Sequence, residues 1–86
     1  MKDILYVILS SIDDNKEHNC ASVTCSGDGD SIEILPNHQD ISIKFNNGKV
    51  KIATINGEVK SFAVGSCSVM VVSNKCTIVA DKLDVI

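Results

Sequence analysis

The sequence predicts an all-β domain, a sandwich or a barrel, and three observations support this fold class. Apolar and polar residues alternate with a period of two along most of the chain. Turn residues recur about every eight to twelve positions, and β-branched residues are frequent throughout. Apolar residues make up 44% and charged residues 22%, which is a globular composition. With 86 residues, the chain is long enough for one domain, residues 1–86, and too short for two.

The alternation predicts eight strands in order. The first is the apolar run Ile4–Ser11, and the polar stretch that follows it is a loop. The other seven predicted strands are Ala21–Ser26, Ile32–Ile34, Ile41–Phe45, Val50–Ile52, Val59–Val64, Cys67–Val72 and Cys76–Ala80. In the second predicted strand, Ala21, Val23 and Cys25 alternate with polar residues, and we expect these three side chains to share the buried face. The predicted turns are Gly27–Asp30, Asn46–Gly48, Asn56–Gly57 and Ser73–Lys75, while Pro36 ends the third strand. Asn56–Gly57 is the strongest hairpin signal, and it predicts a type I′ turn.

The cysteines predict buried thiols in a cytosolic chain. Cys20, Cys25, Cys67 and Cys76 each fall in or beside a predicted strand, where free cysteine acts as a small apolar side chain. Disulfides require a secretory context, which the sequence does not show. The longest apolar run, Ile4–Leu9, is far shorter than the roughly 20 residues that span a bilayer. We therefore expect neither a signal peptide nor a membrane-spanning segment.

Charge and composition argue against several kinds of function. The net charge is −3 and the chain has no arginine, so nucleic-acid binding and phosphoryl transfer are both disfavoured. The segment Gly65–Ser68 lacks the Gly-x-Ser-x-Gly spacing of a nucleophile elbow. No spacing selects His18 or His38 as the partner of a reactive cysteine. We therefore expect no enzyme activity of the chain itself.

Metal and cofactor sites are likewise not predicted. The cysteine spacings do not match the usual zinc knuckle. A calcium loop that began at Asp28 would need glycine and glutamate where Glu33 and Gln39 stand. The loop Gly27–Asp30 has no lysine, and its aspartates would repel a phosphate. The residues by themselves indicate an all-β binding domain without naming its partner.

Four segments, taken in order, resemble the ε subunit of F-type ATP synthases. The acidic and glycine-containing loop Gly27–Asp30 leads to Ile34–His38, which fits the family motif Ile-Leu-Pro-x-His. Asn47–Ile52 looks like the family's Gly-x-Val/Ile-x-Ile strand entry, and Phe62–Gly65 is similar to its Phe-x-Val-Gly step. Asn74–Asp81 resembles the Asn-x-x-Thr-Ile-Leu-Ala-Asp ending of the domain. The resemblance covers roughly residues 4–81.

The resemblance implies a non-catalytic rotor subunit. Its fold would be a ten-stranded β-sandwich with two sheets of five, and the two further strands are expected in Ser11–Cys20 and Glu33–Asp40. It would link the γ subunit to the c-ring in proton-driven ATP synthesis, at the cytoplasmic face of a bacterial inner membrane and without inserting into it. The chain ends at Ile86, so we expect no C-terminal helical hairpin and no ATP binding.

The resemblance also implies two contact sites. The expected γ-subunit contact consists of Ser10, His38, Ile41 and Ile43. The expected c-ring contact consists of Asp28, Gly29, Asp30 and Ser31. The residues themselves leave alternatives open, because Ile41 and Ile43 fit a core and the loop fits a solvated turn. Outward apolar residues such as Val72 and Val79 are candidates for a partner interface. The alternative function is an unrelated carbohydrate- or peptide-binding β-sandwich, although aromatic residues for sugar stacking are scarce.

Overall fold

A computed structural model describes residues 3–12, 14–27 and 29–86, and these ranges contain seven strands and no helix. The strands are β1 (Leu5–Ser10), β2 (Asn15–Gly27), β3 (Asp30–Ile34), β4 (Ile41–Thr54), β5 (Val59–Val72), β6 (Lys75–Ala80) and β7 (Leu83–Val85). The predicted all-β class is confirmed. Within the described ranges, no helix is long and apolar enough to cross a membrane.

The seven strands form one sheet that closes on itself. Its order is β1-β6-β5-β4-β2-β3, and β1 also pairs with β2, which completes the closure. The short strand β7 pairs with β5 beyond the end of β6. Only β1 and β6 run parallel among the described pairings, and the others are antiparallel. The apolar core fills the interior of this closed sheet.

Several predicted strand boundaries are wrong because two long strands bend instead of ending. β4 contains both Ile41–Phe45 and Val50–Ile52, and β5 likewise joins two predicted strands. The predicted turn Asn46–Gly48 therefore lies inside β4, where only Asn47 has a positive φ, of 52°. The register with β5 is the same before and after this point, so the chain bends without reversing. The ten strands in two sheets that the resemblance implies are not confirmed, and β7 was not predicted.

A bulge in β2 overturns the face assigned to Ala21. Cys20 pairs with Thr54 of β4, whereas Ser22 pairs with Ala53, so Ala21 is an extra residue in the ladder. Ala21 is exposed, while Cys20 and Val23 are both fully buried although an odd number of positions separates them. The strict period of two fails here because the extra residue of the bulge changes which side chains of β2 face the core.

A second change of face occurs where β4 and β5 bend together. In β4 the inward-facing positions are odd-numbered up to Phe45 and even-numbered from Val50 onward. In β5 they are even-numbered up to Val64 and odd-numbered from Cys67 onward. Close packing holds this bend in place, because a Cβ added at Gly48 would lie 2.0 Å from the Ser26 carbonyl oxygen and 2.7 Å from the Phe45 ring. Only glycine permits this approach of β4 to β2.

The interpretation of the cysteines as buried core side chains is confirmed. All four lie in β2, β5 or β6, are buried, and carry free thiols. Burial raises the pKa of Cys20 and Cys67 to about 11, and it raises that of Cys25 and Cys76 to about 12. The reactive thiolate is therefore strongly disfavoured at neutral pH.

We expect the native protein to resist thiol labelling. At pH 8 the raised pKa values keep each thiol in its unreactive protonated form, and burial also shields each thiol from the reagent. A disulfide reagent such as DTNB should leave the native chain unmodified and should titrate all four thiols in guanidinium chloride. A Ser42→Cys variant, with its exposed position, is the control and should react once and rapidly. Stoichiometric labelling of the native wild type would contradict the burial.

Candidate functional site

The loop that carries His38 is fastened to the turn between β5 and β6. The Asn37 backbone N–H donates to the side-chain oxygen of Asn74, and Asn74 Nδ2 donates to Asn37 Oδ1 over 2.9 Å. The Ser73 N–H donates to the Asp40 carboxylate over 3.0 Å. These bonds hold residues 35–40 against one end of the closed sheet.

His38 is half-buried in this loop with a defined tautomer. Its N–H donates to the Leu35 carbonyl over 3.2 Å, which closes a tight turn around Pro36. Its ring Nδ1 lies 2.6 Å from the Gln39 carbonyl oxygen, which can only accept, so Nδ1 carries the proton. In the neutral imidazole, Nε2 is then left as an acceptor for a partner's donor.

Ile41 and Ile43 occupy the start of β4 on the core side of the sheet. They pair with Val71 and Val69, which are fully buried, and both isoleucines are half-buried against the core. Alternation alone could not separate the two faces, and the structure places most of each side chain on the inner one. Only the part that remains exposed can contact a partner, and the γ contact stays a prediction.

Ser10 lies far from His38, at the other end of β1. Tyr6 of β1 pairs with Lys75, next to the turn that holds the His38 loop, whereas Ser10 pairs with Val79. Four residues along a strand correspond to about 13 Å. The four residues predicted to contact γ therefore do not form one cluster.

The outer surface of β5 and β6, which includes the neighbourhood of Ser10, carries three exposed apolar side chains among polar ones. Met70, Val72 and Val79 are each about half exposed (50%, 46% and 50%) and point away from the core. Met70 pairs with Thr77, and Thr77 pairs with Ile8 of β1. We call this surface, made of Ile8, Ser10, Met70, Val72, Thr77 and Val79, the outer face. The sequence names Val72 and Val79 as interface candidates but not Met70, although alternation puts Met70 on the face opposite buried Val69 and Val71.

The predicted c-ring residues lie at the turn between β2 and β3. Asp28 is outside the described residues. Gly29 has a φ of +85° and open space around it, and Asp30 and Ser31 begin β3 with exposed side chains. Asp30 and Ser31 also line a cleft of about 260 Å³ together with Ile43. The structure thus brings part of the predicted γ contact beside the predicted ring contact.

The chemistry available at these surfaces is that of binding. Within the described ranges, no group of three or more His, Cys, Asp or Glu side chains could hold a metal ion. The outer face offers apolar contact, the His38 loop offers one ring acceptor, and the Gly29–Ser31 turn offers carboxylate and hydroxyl oxygens. Such an arrangement fits contact with protein partners.

Comparisons with known proteins relate the chain to ATP synthases. The family model described as "ATP synthase, Delta/Epsilon chain, beta-sandwich domain" matches residues 11–84. A chain in the cryo-EM structure of the Euglena gracilis mitochondrial ATP synthase (OSCP/F1/c-ring, rotational state 1) is similar, with a TM-score of 0.85 and 14% identity. That likeness covers 96% of this chain and 53% of the other.

A second similar fold occurs in the central stalk/c-ring structure of the Tetrahymena thermophila mitochondrial ATP synthase. The TM-score is 0.76 at 18% identity, over 91% of this chain and 63% of that one. The present chain thus spans between half and two thirds of the length of these two relatives. A search among curated proteins found no match.

Proposed function

The chain belongs to the ATP synthase delta/epsilon family through its β-sandwich domain, and on that premise we propose that it is a non-catalytic rotor subunit that links γ to the c-ring in proton-driven ATP synthesis. The family match over residues 11–84 is the observation that carries this proposal. The similar folds in two ATP synthase structures support it. The match leaves the carbohydrate- or peptide-binding alternative without support.

The proposal includes a location and an architecture. The subunit would be a peripheral part of the complex at the cytoplasmic face of a bacterial inner membrane, as in the ε subunits that it resembles. Residues 1–86 would form one domain. Dividing β2 at Ala21, β4 at Asn47 and β5 at Gly65 yields ten segments, which would pack as two layers of five. The change of pairing partners along these three strands supports that division.

The outer face is the proposed binding surface for the γ subunit. A stable subunit contact buries on the order of 1,600 Å² in total, and its centre is apolar. Met70, Val72 and Val79 supply half-exposed apolar side chains on adjacent strands. Ser10 pairs with Val79 inside this face, while the loop of His38 lies beyond its other end, where Asn37 is bonded to Asn74. Ile41 and Ile43 would contribute only their exposed parts.

The Gly29–Ser31 turn, with Asp28, is the proposed contact to the c-ring. It lies beside the bend of β4, because Gly29, Asp30 and Ser31 line one surface depression together with Asn47 and Gly48. Gly29 allows the backbone to approach a partner closely, and the Asp30 carboxylate can accept hydrogen bonds from basic or backbone donors.

We expect Asp30→Asn to weaken the ring contact modestly and to flatten its dependence on salt. An exposed charge of this kind contributes about 0.5–1 kcal/mol, mainly through the association rate. The measurement is binding of the chain, assembled with γ, to purified c-ring at low and at high salt. Glu58→Gln, in the exposed turn between β4 and β5, is the matched control and should change neither quantity. Equal effects of the two variants would contradict a contact at this turn.

Co-purification tests the function as a whole. The full chain, tagged and expressed in its source cell, is purified under mild detergent with the membrane fraction retained. We expect ATP synthase subunits, γ among them, in stoichiometric amounts. Their absence from a preparation in which the ATP synthase itself is intact would overturn the proposed function.

A further inference from the structure

One end of the closed sheet opens into a cavity with a charged rim. The cavity has a volume of about 280 Å³ and lies where β2 and β5 begin and β7 ends. Its lining includes Lys16 and His18 of β2, Lys60 and Phe62 of β5, and Val85 of β7. The mouth of a closed sheet is a common place for small-molecule sites, and this volume is at the small end of their range.

Strand pairing directs the charged side chains of the cavity to the inner side of the sheet. His18 pairs with Val7, and Lys60 pairs with Ile52. Val7 and Ile52 are fully buried, and residues paired across a ladder point to the same face. Lys16 stands two residues before His18 and shares its face. Polar side chains thus occupy inward positions at this end of the sheet, where alternation alone would favour apolar ones.

His18 has a ring nitrogen without a hydrogen bond. Its Nε2 is shielded from solvent and has no hydrogen-bond partner among the residues that the structure describes. A shielded polar atom of this kind is costly until a ligand or an ordered water bonds to it. Because Nε2 belongs to a side chain that lines the cavity, a molecule in the cavity is well placed to supply that bond.

The electrostatic potential at His18 is net positive. Burial lowers the pKa of His18, and the ammonium groups of Lys60 and Lys16 lower it further, whereas the Glu58 carboxylate raises it with a smaller effect than either lysine. Lys16 also approaches Asp14 over 3.8 Å, with both side chains half-exposed. Lys60 has no ion-pair partner within the described ranges. An anion that enters the cavity therefore meets an attractive field.

The rest of the lining argues for an anion with an apolar part. Phe62 is buried, and Val85 pairs with it and points to the same side while remaining largely exposed. Inorganic phosphate would leave these apolar side chains uncovered. A neutral apolar molecule would leave the lysines and His18 Nε2 without a partner. A ligand that carries both a negative charge and a short apolar body satisfies both parts of the lining.

We propose that this cavity binds a small organic carboxylate with an apolar body. The carboxylate lies between the ammonium groups of Lys16 and Lys60 and accepts a hydrogen bond from His18 Nε2. The apolar body packs on Phe62 and Val85. The site is separate from both proposed partner surfaces, so its test does not depend on the proposed function.

Titration of the full chain with hexanoate, followed by NMR of the His18 ring nitrogens, tests the site. We expect saturable shifts of Nε2 with a Kd of about 1 mM, and an unshifted His38 ring. Hexanamide lacks the charge and inorganic phosphate lacks the apolar body, and both should bind about tenfold more weakly or less. Equal binding of either compound would overturn the proposal. An unshifted His18 at about 10 mM hexanoate would overturn it too, and ordered water would then be the partner of Nε2.

Substitutions and pH test the roles of the individual side chains. Lys60→Gln should weaken hexanoate binding about fivefold at an unchanged melting temperature, because Lys60 is exposed. Lys75→Gln, exposed on β6, is the matched control and should bind like the wild type. Equal binding by both variants would contradict the carboxylate position.

The bound carboxylate favours the protonated His18 ring, so it raises the pKa of His18 relative to the free chain and binds with uptake of protons. The affinity of the wild type for hexanoate should therefore be severalfold higher at about pH 6 than at about pH 8. The affinity of His18→Gln should be lower and the same at both pH values. A wild-type affinity that does not change with pH would refute the contact with His18.

Discussion

Replacing Gly48 by alanine is expected to lower the free energy of unfolding by about 3 kcal/mol, a large fraction of the stability of a domain this size. The new Cβ would lie 2.0 Å from the Ser26 carbonyl oxygen. That oxygen belongs to the β2 ladder, so neither strand can move without breaking hydrogen bonds. The Phe45 ring, 2.7 Å away, closes the other side. Urea denaturation measures the loss, and the melting temperature should fall by more than about 10 °C.

Gly65→Ala is the matched control for this bend. Its Cβ would also be crowded, at 2.5 Å, but by the carboxylate of Asp81. Asp81 is exposed, so its side chain can rotate away, and the cost should stay below about 1 kcal/mol. A similar loss in both variants would show that the Gly48 contact is not the cause. Gly65 and Asp81 belong to two separate motifs of the family resemblance, and the fold brings them into contact.

Met70→Glu is expected to reduce the affinity for γ by about a hundredfold. The substitution puts a carboxylate at the centre of the outer face. Binding of γ would remove water from this carboxylate without providing a group of opposite charge. The fold should be unaffected, because Met70 is half exposed and points away from the core. Titration calorimetry of the full chain with γ measures the affinity, and a thermal melt checks the fold.

Val85→Glu controls for the added charge. Val85 is 72% exposed on β7, away from the outer face, and it pairs with Phe62 of β5. This variant should bind γ with the wild-type affinity. If Met70→Glu also left the affinity unchanged, the outer face would not be the γ contact, and the surface around His38 would become the next candidate.

Turns show how far local chemistry predicts this fold. Asn56–Gly57 was predicted as a type I′ turn, and a reversal does occur there, but only Gly57 has a positive φ. A Thr54 N–H to Glu58 bond closes a longer loop. The two positive φ values of a type I′ turn are found instead at Ser73 and Asn74, where the sequence predicts a turn without its type.

The sequence predicts which residues are available for contact better than it predicts where they lie relative to one another. The motif around Pro36 places His38 in a loop, and alternation places Val72 and Val79 outward, as observed. Whether Ile41 and Ile43 point inward depends on which side of β4 the rest of the sheet covers. The cavity beside His18 has no sequence signal at all, since it arises where strands far apart in the chain meet.

The sequence by itself determined the all-β class, the burial of the cysteines and most strand positions, because these depend on local alternation and turn chemistry. Only the tertiary structure decided which turn signals reverse the chain and which ones only bend it. Asn47 adopts a positive φ in the middle of β4, between the pairs Asn46–Ser66 and Gly48–Val64 with β5, and the chain bends there without reversing. The closure of the sheet, the bulge at Ala21 and the cleft beside Ile43 follow from strand pairings between residues far apart in the chain, which local patterns do not encode.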